Sequence, residues 1–400
     1  MMERWELPKG WEWKQLKTLA PVHYGKGLSE KQRRGGNVPV YGANGVVGFH
    51  DVSMTKGQTI VIGRKGSAGA VNWSEIACWP IDTTFFIDEF PKILYPKFLY
   101  KFLRSQQIDR LQQSAAIPGL NRDVLYSIEV PIPYPNDPDR SLAEQRRIVA
   151  RLELLLGETR AMREDIQAMR RDLAQVMESV LAEVFPNPNE EMPEGWERKN
   201  MSEVSVVNPA RPRIQRNDNE PTSFVPMQAV DEFEGKISQI QIKPYGQVKR
   251  GYTYFEENDI LLAKITPSME NGKVAIARGL LDRIGFGTTE FHILRPNPDV
   301  LPEWIFYYIR RKAFREEAKN NFRGAVGQQR VPEEFLVYYP IPIPYPDDPA
   351  RSLAEQRRIV AYLEHIAEEI RAMDDVLAQD LRDIEVLEQS ILTAAFRGEV

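Results

Sequence analysis

Two long stretches of the chain place apolar residues at alternating steps of three and four. The first runs through Ile148, Leu152, Leu155, Met162, Ile166, Met169, Leu173, Val176 and Val180, with Thr159 filling the one gap. The second runs through Ile359, Leu363, Ile366, Ile370, Met373, Leu377, Ile384, Leu387 and Ile391. This spacing is a heptad seam, and no proline interrupts residues 139–185 or 350–400. Each stretch predicts a helical rod of about 65 Å. Neither rod can bury its stripe alone, so the two are expected to pack against each other. Asp380 stands where Met169 stands in the first rod; either Leu381 takes over locally or a polar group marks the register. Ser141 with Glu144 and Ser352 with Glu355 fit the capping box, which places the helix starts there.

Elsewhere the pattern changes. QTIVIGR (58–64) and DILLAKI (259–265) are short apolar runs bounded by turn residues and predict buried strands. Residues 95–113 and 301–320 have helical spacing. Residues 1–133 and 192–344 therefore read as two mixed, strand-rich globules on one plan. The decapeptide SLAEQRRIVA occurs at 141–150 and again at 352–361, and PIPYP at 131–135 returns at 342–346, both at an offset of 211. Ser179, Leu181 and Phe185 match Ser390, Leu392 and Phe396 at the same offset. LPKGWEW (7–13) resembles MPEGWER (192–198) at an offset of 185, so the globular parts differ in length. The chain is a duplication. Each PIPYP block is expected to be a helix stop and rigid spacer.

The fold class expected is α+β: two strand-rich domains joined by two long antiparallel helices forming a coiled coil, pseudo-two-fold within one chain. Boundaries fall at 1–135, 136–188, 189–346 and 347–400. Two independent helical hairpins, or a dimerisation coiled coil, are the alternative use of the same helices.

Length agrees with more than one core. With 42 % hydrophobic and 27 % charged residues the composition is that of a soluble globular protein, and no apolar run approaches the roughly 20 residues of a membrane helix. MMERWELPKGWEW is too polar for a secretory segment, and a lone Cys78 excludes an internal disulfide framework, so a cytoplasmic location is expected. The net charge of −5 is uneven: +4 over residues 1–140, −1 over 141–185, −2 over 186–351 and −6 over 352–400. Most of the acidity sits in the last fifty residues, so electrostatics neither requires nor forbids a DNA partner.

Polar, glycine-rich loops concentrate where the two globules diverge. In the first they supply Lys26, Lys31, Arg33, Arg34, Arg64 and Lys65 beside Tyr41 and Asn44. In the second they supply Arg211, Arg213, Arg216, Lys264, Asn271, Arg323, Gln328, Gln329 and Arg330. Arg and Lys contact guanine edges or phosphates, and Asn and Gln pair with adenine in the major groove. Catalytic signatures are missing from the sequence: there is no P-loop run, and Cys78 with the dispersed His23, His50, His292 and His365 makes no familiar zinc site. No catalytic residue, metal or cofactor is expected in this chain.

Two globules that each open with P-x-G-W and close in PIPYP, each followed by SLAEQRRIV and a long helix, resemble the specificity subunit of type I restriction-modification systems. The resemblance covers nearly the whole chain. It extends to the GQQR loop at 327–330, while GLNR at 119–122, with Asn121 and Arg122, replaces the usual glycine-glutamine pair. The resemblance implies a non-catalytic subunit that reads a bipartite, asymmetric double-stranded DNA site, one half-site per recognition domain. It implies two methyltransferase subunits and two restriction or motor subunits as partners, with S-adenosylmethionine, ATP and magnesium belonging to them, and no membrane. The paired helices would serve as ruler and docking surface. Within the repeated decapeptide, Glu144, Gln145, Arg146 and Arg147, with Glu355, Gln356, Arg357 and Arg358, are the candidates for partner contact. A coiled-coil assembly adaptor without sequence-specific DNA binding stays open as the alternative.

Overall fold

The computed structural model describes residues 5–108, 119–187, 190–232, 234–325 and 328–400. Contacts divide the chain into two compact units, residues 1–168 with 377–400 and residues 169–376, so each unit holds one globule and portions of both long helices.

The first globule is built from β1 (Trp11–Gln15), β2 (His23–Tyr24), β3 (Val38–Gly42), β4 (Gly45–His50), β5 (Thr59–Gly63), β6 (Val71–Ser74), β7 (Trp79–Pro80), β8 (Thr84–Ile87) and β9 (Glu129–Pro133). The second contains β10 (Trp196–Asn200), β11 (Ser205–Val207), β12 (Pro221–Val225), β13 (Gln241–Pro244), β14 (Thr253–Glu256), β15 (Ile260–Ala263), β16 (Val274–Ile276), β17 (Ile284–Gly287), β18 (Phe291–Pro296) and β19 (Pro340–Pro344). The expected strands at 58–64 and 259–265 are β5 and β15, and both are buried throughout.

One strand order occurs twice. The sheet β2-β8-β5-β6 has its counterpart in β11-β18-β15-β16, and β4-β3-β7 has its counterpart in β13-β12-β17 with β14 added at the edge. Even the parallel pairing of β3 with β7 returns between β12 and β17. Loop lengths drifted and strand order did not, because register on a buried sheet is fixed by which face each side chain occupies.

The two flanking motifs of each globule meet. Trp11 pairs with Pro133 and Gln15 with Glu129 in an antiparallel ribbon, as Trp196 pairs with Pro344 and Asn200 with Pro340. PIPYP is therefore largely a strand, not a spacer. Its alternate prolines are tolerated because a two-stranded ribbon leaves one edge of β9 and of β19 unbonded, while the alternating apolar residues Val130, Ile132, Ile341 and Ile343 are buried. Gly10 (φ +91°) and Gly195 (φ +80°) let the chain pass under the rings of Tyr134 and Tyr345, whose amides donate to the two glycine carbonyls at 2.8 Å.

The long helices span Pro138–Val184 and Pro349–Phe396. The capping box expected at Ser141 and Ser352 is displaced. Asp137 Oδ1 accepts from Arg140 N at 3.1 Å and Asp348 Oδ1 accepts from Arg351 N at 3.1 Å, so the aspartates cap, each followed by proline at the first helical position. In the first unit the start of one helix (Ile148, Leu152) and the end of the other (Ala395, Phe396) enter one core. In the second unit Leu181 and Phe185 join Ile359, Val360 and Leu363. The helices are thus antiparallel. Phe396 meets Phe98 and Phe102 at 5.3 and 5.1 Å, and its repeat mate Phe185 meets Trp304 and Tyr308 at 4.8 and 5.4 Å.

Away from these ends the seam is looser than the heptad pattern predicts. Met162, Met169, Val176, Met373 and Leu387 are exposed. Polar bonds replace packing there: Thr159 Oγ1 donates to Glu388 at 3.1 Å, and Arg163 pairs with Glu388 at 3.3 Å. Asp380 is exposed and Leu381 half-buried, so leucine takes over. The helix expected over 95–113 is formed from Pro96 to Ser105, and 109–113 lie outside the described residues. The one expected over 301–320 is two helices, Pro302–Arg310 and Lys312–Asn320. They break at Arg311, whose buried guanidinium donates to the carbonyls of Tyr308, Phe185 and Pro186. No helix among the described residues is long and apolar enough to cross a membrane.

Candidate nucleic-acid interface

At the end of β5 the chain places Arg64 beside an exposed aromatic. Its guanidinium lies over Tyr24 at 5.4 Å and Phe85 at 5.9 Å, and that of Arg122 lies over the same Tyr24 ring at 5.1 Å and over Tyr126 at 5.7 Å. Tyr24 is 46 % exposed, which leaves a surface of cations and ring that nucleic acids recognise through phosphate and base stacking. Lys65 is exposed next to it. Arg64 Nη2 donates to Asp82 O at 3.0 Å, while its buried Nε has no acceptor.

The same corner of the second globule follows from the ladder. Arg64 N donates to Thr83 O and Arg64 O accepts from Leu120 N; Lys264 N donates to Glu290 O and Lys264 O accepts from Val331 N. Gly63 N bonds Ala70 O as Ala263 N bonds Lys273 O. Lys264 is therefore the structural equivalent of Arg64, Val331 of Leu120 and Glu333 of Arg122. The surroundings differ. Arg330 forms a two-pronged pair with Glu290 at 2.8 and 2.8 Å, which holds that carboxyl below the usual carboxylate range. His292 donates from Nε2 to Val331 O at 2.8 Å, so its Nδ1 accepts from Asn208 Nδ2 at 3.0 Å, and Asn208 also donates to Glu333 at 2.8 Å. Burial lowers the Lys264 ammonium and the His292 imidazole pKa from their ordinary values.

Several of the other candidates have partners within the protein. Tyr41 is buried, donates to Trp73 O at 2.9 Å, and its pKa is pushed up by that burial. Arg33 donates to Val47 O at 2.6 Å and so braces the β3-β4 hairpin. Arg34 pairs with Asp51 at 3.0 Å. Arg216 is nearly buried between Glu220, Thr222 and Asp282. Arg211 donates to Lys249 O and the Tyr245 hydroxyl. Arg323 pairs with Glu334 at 3.2 Å. Asn121 caps the helix Arg122–Tyr126 by accepting from Asp123 N at 3.1 Å. At the offset of 211, GLNR corresponds to residues 330–333 and not to GQQR, so the loops compared in the sequence are not equivalents. Lys26, Lys31, Asn44, Arg213, Asn271 and Gln328 are exposed, and Gln329 is half-buried with its carbonyl bonded to Thr266 N at 3.1 Å.

The decapeptide divides by face. Gln145 and Gln356 are fully buried, which corrects their assignment to partner contact. Gln145 accepts from Tyr95 N at 2.8 Å and donates to Ile93 O at 2.7 Å and Ser141 Oγ at 2.9 Å; Gln356 accepts from Leu301 N at 2.9 Å and donates to Asp299 O at 3.2 Å and Ser352 Oγ at 3.0 Å. On the outer face Arg147 clasps Glu144 at 3.0 and 2.9 Å, and Arg358 clasps Glu355 at 2.9 and 2.8 Å. Arg146 and Arg357 are exposed beside them.

Two features went unread in the sequence. Tyr24 needed the nonlocal stack to be noticed. Lys97, Lys101 and Arg104 line a cleft of about 970 Å³ in the first globule with Tyr41, Trp73 and Tyr100, and their helical spacing of four and three was a usable signal. Burial lowers the Lys101 pKa. Among the described residues His23, Asp88 and Glu89 bring possible metal-ligand atoms within 4.8 Å, but Lys56 already engages Asp88 through its amide and Glu89 through its ammonium, as an ion-pair cluster does.

The family profile described as "Type I restriction modification DNA specificity domain" matches residues 8–168 and 193–378. Among curated proteins, the type I restriction enzyme EcoEI specificity subunit of Escherichia coli is 42 % identical over 164 residues, covering 40 % of this chain and 27 % of that one. The EcoAI specificity subunit of Escherichia coli is 34 % identical over 206 residues, covering 51 % and 33 %. The matched stretches thus span about a third or less of those relatives. Among solved structures, a chain described under "Structural basis underlying complex assembly and conformational transition of the type I R-M system" aligns over 99 % of this chain and 100 % of its own, with a TM-score of 0.74 at 21 % identity. The HsdS subunit from Thermoanaerobacter tengcongensis aligns over 99 % of both chains with a TM-score of 0.57 at 21 % identity. At that identity the likeness speaks for the fold.

Proposed function

Because the chain belongs to the type I restriction-modification DNA specificity family, we propose that it is the non-catalytic, sequence-reading subunit of such a complex and binds an asymmetric double-stranded site in two halves, one per globule. The observation that carries this reading is the contrast between the two kinds of surface. One strand order recurs with different side chains on its loops, whereas the outer face of SLAEQRRIVA recurs unchanged. Unlike loops on like scaffolds suit two unlike DNA half-sites. Identical helical faces suit two copies of one partner, a methyltransferase subunit, gripped near Glu144–Arg147 and Glu355–Arg358.

In this reading the partners hold S-adenosylmethionine and methylate adenine after flipping it from the duplex. Two motor subunits with ATP and magnesium would complete a restriction complex acting in the cytoplasm. The present chain supplies the address through base contacts and the grip through phosphate contacts.

Sequencing methylated adenines in the host genome, with and without this chain, tests the proposal. One interrupted motif with two different halves is expected, and binding by the complex with its methyltransferase should weaken steeply with salt as counterions are released. Uniform protection of random duplexes, or an unchanged methylome, would overturn it and favour an assembly adaptor.

A further inference from the structure

We propose that Arg64 and Lys264 are equivalent specificity-determining residues, each the central DNA contact of its own globule. The inference rests on the DNA-reading function proposed above and goes beyond it to one position per globule. Three observations carry it. Both residues follow the equivalent inner strand, β5 or β15, and are held by the same pair of backbone bonds. Both remain basic although the loops around them have diverged. Both have donors to offer: Arg64 Nε is buried without an acceptor, and the half-buried Lys264 lies in the field of Glu290 and Glu333 without a direct ion pair to either among the described residues.

A buried cationic donor without an acceptor, such as Arg64 Nε, is costly in a free protein. It is relieved when an acceptor arrives, and guanine edges and phosphates are the strongest acceptors that a duplex offers. The flanking groups then account for different half-sites on one scaffold. In the first globule Arg64 stands with Tyr24 and Arg122, a cationic stack with no ion pair among the described residues. In the second, Lys264 stands among Glu290, Arg330 and Glu333: Glu290 is occupied by Arg330, and Glu333 can accept from a cytosine amino group next to the base or phosphate that Lys264 contacts.

The test is selection from a duplex library randomised in both halves, using the full chain with its methyltransferase subunits. Arg64→Ala should lower binding on the order of tenfold and relax base preference in one half only; Lys264→Ala should do the same in the other half. The half-site that stays selective reports that each variant is folded. Arg64→Lys and Lys264→Arg, which keep charge but change donor geometry, should alter preference in the same halves and carry the test where an alanine variant does not fold. A selective wild type whose variants keep both preferences, or blur both together, would overturn this assignment alone. A wild type without selectivity would overturn the DNA-reading function itself.

Discussion

Arg170 and Asp374 join the two long helices through parallel hydrogen bonds, Nε to Oδ1 at 2.6 Å and Nη2 to Oδ2 at 2.9 Å. Met169 and Met373 beside them are 56 % and 60 % exposed, so at this point the helices are held by charge more than by apolar packing. Both ionic side chains are also partly open to solvent, at 39 % and 41 %. Asp374→Ala should therefore lower stability by less than about 1 kcal/mol. Chemical denaturation of wild type and variant should differ at low salt and converge at high salt; a large, salt-independent loss would show that packing dominates here.

The buried glutamines of the decapeptide should behave oppositely. Gln145→Leu or Gln356→Leu leaves a backbone N–H, a carbonyl and a serine hydroxyl without their partner, and a loss of about 2–4 kcal/mol is expected from such unmet groups. Glu144→Ala, on the outer face, should change stability little and, under the function proposed above, weaken association with a methyltransferase subunit. Urea melts and pull-down on the same set of variants separate the two roles, and a Gln145→Leu protein as stable as wild type would refute the structural role of the buried glutamine.

At the ribbon that closes each globule, a methyl group has no room. A Cβ on Gly10 would lie 2.7 Å from the Tyr134 ring and one on Gly195 2.5 Å from the Tyr345 ring, both at positive φ. Gly10→Ala and Gly195→Ala should each destabilise by about 1–3 kcal/mol. Thermal melts that matched the wild type would show that the ribbon yields.

Acid should weaken the second globule through His292. Burial lowers its pKa in the fold, so between the folded and the ordinary value near 6.5 the unfolded chain binds the extra proton and the folded one does not. Stability is thus full above about pH 6.5 and falls as pH drops through that value. The paired carboxylates Glu144, Glu290 and Glu355, whose pKa values are lowered by their arginines, lose their contribution only in the more acidic range below the ordinary carboxylate value. His292→Gln should flatten the slope between pH 7 and pH 5, roughly the histidine range; an unchanged slope would assign it to another group.

The helices and the duplication were legible because a seven-residue period and a verbatim repeat are local signals. The strand character of PIPYP is not a local property of its prolines, because the partner strand lies more than a hundred residues away at Trp11–Gln15. Gln145 sits between charged neighbours and gave no sign of burial; only the approach of Ile93 and Tyr95 encloses it. The stack of Tyr24, Arg64 and Arg122 joins three distant segments. The equivalence of Arg122 with Glu333 was available from the constant offset of 211, but the short GLNR and GQQR likeness masked it.

Because the first and last strands of each globule are hydrogen-bonded neighbours, the chain leaves each globule beside the point where it came in. Everything between the two strands behaves as a cassette on a closed stem. An exchange of the residues between the two strands would leave the stem pairing and the long helices that follow it as they are.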